Sequence, residues 1–474
     1  MAVAFGYQLV FRILGMIASI VTVALTVRHL GGESYGHLTT AIVFVSLWTS
    51  FSELGIGAVV VRRATSGNGD LQRLVQVNTG LSILYCVPLA LVTTVTGLLV
   101  YHDDPEVRTV LPVITLGLAL TTIASCVAPV FLVTVRFRAV AWSDLLSRGL
   151  SLALTVVLLQ TGAGLMWFAV VQVVPPAVVL IIQGAAASRV MRWRPVFDRR
   201  ESWALLRESL PQTAVLIIGV LYWRLDGVLL SVLDSPVEVG TYYLATTLAF
   251  TLSVVATFFE SSTLSTMTGL WAADRRRFSD FTARSIETML FIGLPVAATG
   301  VVLAEPVMRA IGSETFLGHG APALALLFVA VGITFLNGTL SQALFAAHQQ
   351  GFLVRINVIN LVINIALNLA LIPLWGAVGA ALALAVTELI GLVVVSVRLS
   401  QLSEYRTPWV FVLRLLVPLA ASTAVALLLR PAPLPVSLAA AAATYLAVNA
   451  ALGPVRVSTV RAMLAQDTAD GEDA

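Results

Sequence analysis

The chain has 474 residues, of which 58% are apolar and only 11% charged, against roughly 25% charged in an average soluble chain, so the bilayer rather than water is its main solvent. All 28 basic residues are arginine, and they sit in short loops between apolar runs, so the net charge of +3 marks topology rather than a nucleic-acid partner. Cys86 and Cys126 fall inside apolar runs, which gives no sign of a disulfide framework, and metal-ligand spacing is absent, so no cofactor is expected.

An apolar stretch of about 20 residues crosses the hydrocarbon as a helix. The first, near 8–27, opens directly from the N-terminus without a small-residue cleavage site, so no removable signal peptide is predicted. Spans follow at 38–60, 77–100, 110–133, 145–161 and 166–187, which fill an N-terminal lobe over 1–200. The longest and most charged connection runs from Ser188 to Glu208. Beyond it, 210–233, 241–265, 286–311, 322–346, 354–373 and 377–397 make a C-terminal lobe over 201–400. Runs at 410–429 and 434–453 place two additional helices in 401–456, ahead of an acidic tail at 457–474 with no assignable role. The expected fold is therefore an all-α integral membrane protein of about fourteen transmembrane helices.

The positive-inside rule supports this count, because a missed span would scramble the alternation of Arg-rich and Arg-poor loops. Arg62, Arg63 and Arg73, then Arg136 and Arg138, then Arg189 to Arg200, then Arg275 to Arg284, Arg355, Arg398 and Arg406 all fall on one side. Loops with Asp103, Asp104 and Glu106, with Asp234 and Glu238, and with Glu305 and Glu314 fall on the other, Arg309 and Arg430 being mild exceptions. Both termini are thus expected in the cytoplasm.

The halves resemble one another at an offset of roughly 200 residues. Leu30 to Gly36 answers Asp234 to Gly240, and both lead into Thr-rich helices that share Phe-x-Glu, with Glu53 after Phe51 and Glu260 after Phe258. An even number of spans in each half makes the repeat parallel, a transporter arrangement in which substrate lies between lobes.

A charge at mid-bilayer costs at least ~2.5 to 3.5 kcal/mol, so each needs a partner, a wet cavity or a purpose. Arg12 lies a turn inside the first span, where it can snorkel to the headgroups, and Glu53 lies in the second. Asp144 and Arg148 open span five as an i, i+4 pair able to neutralise each other. Arg224 and Asp226 interrupt span seven about 200° apart around the helix axis, so they face different neighbours. Glu260 and Glu388 lie in spans eight and twelve. Asn357, Asn360, Asn364 and Asn368 form an amide stripe along span eleven, suited either to gluing helices or to binding sugar hydroxyls, while Gln212, Asn337 and Gln342 are weaker signals. His29, His37, His102, His319 and His348 are scattered through loops and their edges, so no nucleophile, base and orienter can be proposed and an enzyme is not expected.

Four pieces in order carry a family resemblance. Arg28-His29-Leu30-Gly31-Gly32-Glu33-Ser34-Tyr35-Gly36 resembles R-x-L-G-x-x-x-Y-G, and Gly55 to Arg62 resembles the G-hydrophobic-x-x-x-hydrophobic-x-R end of helix two. Asp226 followed by Val239-Gly240-Thr241-Tyr242 resembles D-x-x-x-L followed by V-G-x-Y. Asn364 to Glu388, with Asn-Ile-Ala-Leu-Asn-Leu-Ala-Leu-Ile-Pro and Gly-Ala-Val-Gly-Ala-Ala, resembles the N-x-x-L-N-x-x-L-I-P-x-x-G-x-x-G-A-A stretch. The chain thus resembles the O-antigen or Wzx-type polysaccharide flippases of the MATE-like (MOP) exporter superfamily. The resemblance implies two six-helix lobes in a parallel pseudo-repeat plus two C-terminal helices, rocking between inward-open and outward-open states in the bacterial inner membrane. The implied partners are membrane lipids, a polyprenyl-diphosphate-linked oligosaccharide as cargo, a polysaccharide polymerase and glycosyltransferases. Arg12, Arg224 and Arg148, with Asn364 and Asn368, are then cavity candidates, and Glu53, Asp226, Glu260 and Glu388 are counter-charges or coupling sites. A lipid II flippase, a cation-coupled drug antiporter and a non-transporting scaffold of an envelope polymerase complex are the alternatives.

Overall fold

The computed structural model describes residues 2–134 and 136–454, and every regular element among them is a helix. The acidic tail at 457–474 lies outside the described residues. In chain order the helices are α1 (Ala2–Leu47), α2 (Thr49–Glu53), α3 (Ile56–Thr65), α4 (Leu71–Val100), α5 (Pro105–Ser125), α6 (Ala128–Thr134), α7 (Phe137–Thr161) and α8 (Leu165–Ser188). They continue as α9 (Arg199–Leu233), α10 (Pro236–Phe250), α11 (Ser253–Ala273), α12 (Arg275–Ile311), α13 (Leu317–Ala346), α14 (Gln350–Leu402), α15 (Trp409–Leu428) and α16 (Leu434–Leu452).

Length and apolarity make twelve membrane spans among the described residues when α10 and α11, bent by 44°, count as one. The 53 residues of α14 would run ~80 Å as a continuous helix, more than twice a hydrocarbon core of ~30 Å. Gly376 (φ 51°, ψ −127°) breaks it, as Gly31 (φ 73°, ψ −179°) breaks α1, both in backbone regions that glycine alone adopts without strain. Counting α1 and α14 as two spans each gives the expected fourteen.

The second span of each repeat is broken. Residues 38–60 are shared by α1, α2 and α3, with Leu54 (φ 47°) and Gly55 (φ 61°) both left-handed between the last two. A backbone carbonyl freed inside a membrane must find a new donor, and the Leu54 carbonyl accepts the Thr213 hydroxyl of α9 at 2.6 Å. Residues 241–265, the counterpart, hold the bend between α10 and α11. Glu53 closes α2 directly before one break, and Glu260 lies two turns beyond the other.

Two compact units emerge: Met1–Leu244 with Ile311–Thr315 and Asn368–Gly376, and Ala245–Ala310 with Phe316–Leu367 and Ala377–Ala474. In the first, Leu38 and Phe44 of α1 pack with Leu111 of α5 and Phe168 of α8, while Val60, Val75, Val130 and Leu205 form a smaller core. Here too the repeat-related glycines meet. A Cβ on Gly36 would collide with the Pro236 carbonyl oxygen and one on Gly240 would lie 3.3 Å from the Gly36 Cα, so α10 crosses α1 at a distance that only a glycine at 36 permits and that is tight at 240. In the second unit Met267, Phe278, Leu290 and Leu344 form the main core. The last two helices dock on α12 through Leu303, Ala426 and Ala441, and the Tyr445 hydroxyl donates to the Phe291 carbonyl at 2.7 Å. Glu305 of α12 accepts from Arg309 at 3.0 Å and from Arg430, which accounts for the two arginines out of step with the loop alternation.

Candidate functional site

In the first unit the candidate charges split between exposed and sealed positions. Arg224 is exposed on α9 while Asp226, two residues on, is 4% exposed, as the 200° separation requires. The Asp226 carboxylate accepts the Gly227 N–H at 2.7 Å and the Tyr242 hydroxyl of α10, so it ties the two helices beside the Gly36–Gly240 crossing. Asp144 and Arg148 do pair, at 3.0 Å, and Arg148 also donates to Ser19 of α1 at 2.6 Å. Its stem lies over Gly15, where a Cβ would come within 2.9 Å of the Arg148 Cδ. Arg12, Gly15 and Ser19 follow one another at helical spacing, so the exposed Arg12 and the half-buried Arg148 share one side of the α1–α7 seam. Glu53 is exposed at the end of α2.

In the second unit the polar groups are withdrawn. Glu388 is 2% exposed and accepts the Thr334 hydroxyl at 3.1 Å and the Asn337 amide at 3.2 Å, both from α13. One turn further along α14, a Cβ on Gly391 would meet the amide nitrogens of Asn360 and Asn337 at 2.8 and 2.9 Å. Asn364 donates to Thr387 at 3.4 Å. The Asn337 and Asn360 carbonyl oxygens are buried without a hydrogen-bond partner, so beside the Glu388 carboxylate stand two acceptors able to receive a proton donor or a small cation. On the neighbouring face of α13, Gln342 donates to the Glu260 carbonyl at 2.5 Å and accepts from Thr263 at 3.0 Å, and the Glu260 carboxylate packs over Gly338.

Of the amide stripe, Asn360, Asn364 and Asn368 are buried and Asn357 is exposed. Asn337 and Gln342, weak signals in the sequence, are the hubs of the second unit's network, and Thr334 and Thr387 join them without being singled out. The hint for Thr334 and Asn337 was their i, i+3 spacing on one face of α13, whereas Gln342 lies on the neighbouring face. Sequence reading also passes over Arg414, exposed on α15 inside an apolar run. Among the described residues no three His, Cys, Asp or Glu side chains converge on a metal-sized site.

A family model described as polysaccharide biosynthesis protein matches residues 4–265, and no curated protein matches the chain. Among solved structures the chain is similar to the lipid II flippase MurJ in an inward closed conformation, at 12% identity and TM-score 0.76 over 95% of this chain and 98% of that one. It is similar to an inward-facing multidrug resistance MATE family transporter of the MOP superfamily, at 14% identity and TM-score 0.67 over 84% and 98%. A MOP superfamily transporter from Pyrococcus furiosus matches at 14% identity and TM-score 0.58 over 83% and 95%. At such identities the likeness shows a shared fold.

Proposed function

Because the chain belongs to the polysaccharide biosynthesis protein family and has the fold of MOP superfamily transporters, we propose that it flips a polyprenyl-diphosphate-linked oligosaccharide from the cytoplasmic to the outer leaflet. It works as a transporter by alternating access between the lobes 1–200 and 201–400, not as an enzyme. Its setting is the bacterial inner membrane, with both termini cytoplasmic. Glycosyltransferases supply the loaded lipid and a polymerase consumes it for cell-surface polysaccharide.

The observation that carries this reading is the set of guanidinia on the first unit's membrane helices, Arg12 and Arg224 exposed and Arg148 half-buried. The polyprenyl tail can stay in hydrocarbon, but the diphosphate and sugars need a polar path, and arginine suits diphosphate by both charge and bidentate geometry. Cationic cargo would meet repulsion at the same groups, which disfavours drug antiport. Glu53 and Asp226 act as counter-charges, and Glu260 and Glu388 as counter-charges or coupling sites that bias the cycle. Asn364 and Asn368 are fully buried, Asn364 on Thr387, and fit the helix-gluing side of their reading. The likeness to a lipid II flippase favours one second reading, the same chemistry with a peptidoglycan precursor as cargo.

The test is transbilayer movement in proteoliposomes of a labelled polyprenyl-diphosphate oligosaccharide, of lipid II and of an organic cation. Movement of the oligosaccharide well above protein-free vesicles is expected. Movement of lipid II alone would transfer the assignment to the second reading, and proton-coupled exchange of the cation alone would overturn both.

A further inference from the structure

The connection into α9 is built rather than loose. Between Ser188 and Arg199 the chain folds back on α4, where the Val196 N–H donates to the Gln76 carbonyl at 3.0 Å and the Gln76 amide to the Arg192 carbonyl at 2.6 Å. The Trp193 indole N–H donates to Thr79 at 2.9 Å, and its ring covers Gly184. Between this strap, α4 and the first turns of α9 lies a cavity of about 850 Å³ walled by Leu81, Leu84, Phe197, Trp203 and Leu206, within the ~300–1,000 Å³ of ordinary ligand pockets. Phe197 and Trp203 are 61% and 68% exposed, a large apolar area to leave open.

The cavity's rim is cationic. Arg199 and Arg200 line it and neither guanidinium is held in an ion pair among the described residues. The nearby acids are already engaged, since Asp198 caps α9 and pairs with Arg73 at 3.0 Å, and Glu201 pairs with Arg73 at 2.9 Å. The 35 residues of α9 run ~52 Å against a hydrocarbon core of ~30 Å, so its first turns lie in the headgroup layer. The surrounding connection is the chain's most Arg-rich, which the positive-inside rule puts on the cytoplasmic side.

We propose that this cavity binds an anionic phospholipid of the cytoplasmic leaflet, with its phosphate on Arg199 and Arg200 and the upper part of its acyl chain along Leu84, Trp203 and Leu206. Guanidinia recognise phosphate bidentately, exposed aromatic rings settle at headgroup depth, and the apolar wall continues into the lipid region. A zwitterionic lipid carries the same phosphate with a tethered ammonium, which the two arginines repel. None of these lining residues is among the cargo-path candidates, and the site does not depend on which cargo is carried.

The experiment uses the full chain in phosphatidylcholine vesicles doped with acyl-brominated phosphatidylglycerol or acyl-brominated phosphatidylcholine, reading the tryptophan fluorescence lost between wild type and Trp203→Phe. Brominated phosphatidylglycerol should quench that component at far lower doping than brominated phosphatidylcholine. The difference should shrink roughly 10- to 30-fold in Arg199→Gln/Arg200→Gln, at about 1 kcal/mol for each arginine near a lipid surface. Should the double variant not fold, added salt on the unmodified chain must weaken the phosphatidylglycerol preference in the same way. Equal quenching by both lipids, or a preference untouched by substitution and salt, overturns the proposal. So does displacement of the phosphatidylglycerol by trace polyprenyl phosphate, which would make the cavity a cargo site.

Discussion

In the first unit Arg12 and Arg224 keep their charges at exposed positions on membrane helices, whereas in the second Glu388 and Asn360 are sealed among threonine and asparagine side chains. An open intramembrane charge is stable only against a wet cavity, a headgroup or a charged visitor, while a sealed network is answered from inside the protein. The candidate residues of the two units therefore use polarity for different ends: Arg12 and Arg224 offer cations outward, while Glu388 and its partners hold a polar junction between α13 and α14, with Arg414 on α15 as the second unit's own exposed cation. Both sequence repeats break their second span, with Glu53 at one break and Glu260 two turns beyond the other.

This contrast is broken most directly by stability. Glu388→Ala should leave the Asn337 amide buried without its acceptor, while the Thr334 hydroxyl falls back on the Ala330 carbonyl at 2.9 Å, a loss of about 1–3 kcal/mol that thermal unfolding in detergent would register. Arg224→Ala should stay within about 0.5 kcal/mol of wild type in the same assay. Equal losses would erase the distinction. The crossing of α1 and α10 comes next, where Gly240→Leu should lower stability by about 1–3 kcal/mol by forcing the helices apart, with Gly240→Ala costing less. Tolerance of leucine there would mean the helices do not approach as described. Thr213→Val should cost about 1 kcal/mol by stranding the Leu54 carbonyl at the broken second span, while Thr339→Val, whose hydroxyl bonds the Phe335 carbonyl inside the unbroken α13, should cost less.

The smallest effect is electrostatic. The Asp198 carboxylate lies below its ordinary value, chiefly because it accepts the Glu201 N–H, with the Arg200 N–H and the Arg73 charge adding to this. A carboxylate lowered on folding stabilises the fold at neutral pH and loses that contribution as pH falls through its folded value. The melting-temperature gap between wild type and Asp198→Asn should therefore be present at neutral pH and close below about pH 3.8. A gap that persists or widens in acid would contradict the assignment.

Much of this was legible in the sequence because hydropathy and helical spacing are local. The fourteen spans, the Asp144–Arg148 pair and the opposed faces of Arg224 and Asp226 all follow from such rules. What hydropathy misses are backbone events inside a span, above all the left-handed turn at Leu54 directly after Glu53. It also places the start of α9 too late, near 210, because the charged turns from Arg199 are held by the Asp198 cap and Arg73 rather than by lipid. The partners of Asn337, Gln342 and Arg430 lie 51, 82 and 125 residues away, out of reach of any local pattern.

The central claim is that the exposed arginines on the first unit's membrane helices carry an anionic headgroup. Its most direct measurement is the initial rate of oligosaccharide-lipid flipping in proteoliposomes for wild type, Arg224→Ala, Arg224→Lys and Arg430→Ala. The account predicts a loss of at least tenfold in Arg224→Ala, partial recovery with lysine, and near-wild-type flipping in Arg430→Ala, whose guanidinium is already spent on Glu305. Unchanged flipping in a folded Arg224→Ala variant would contradict it.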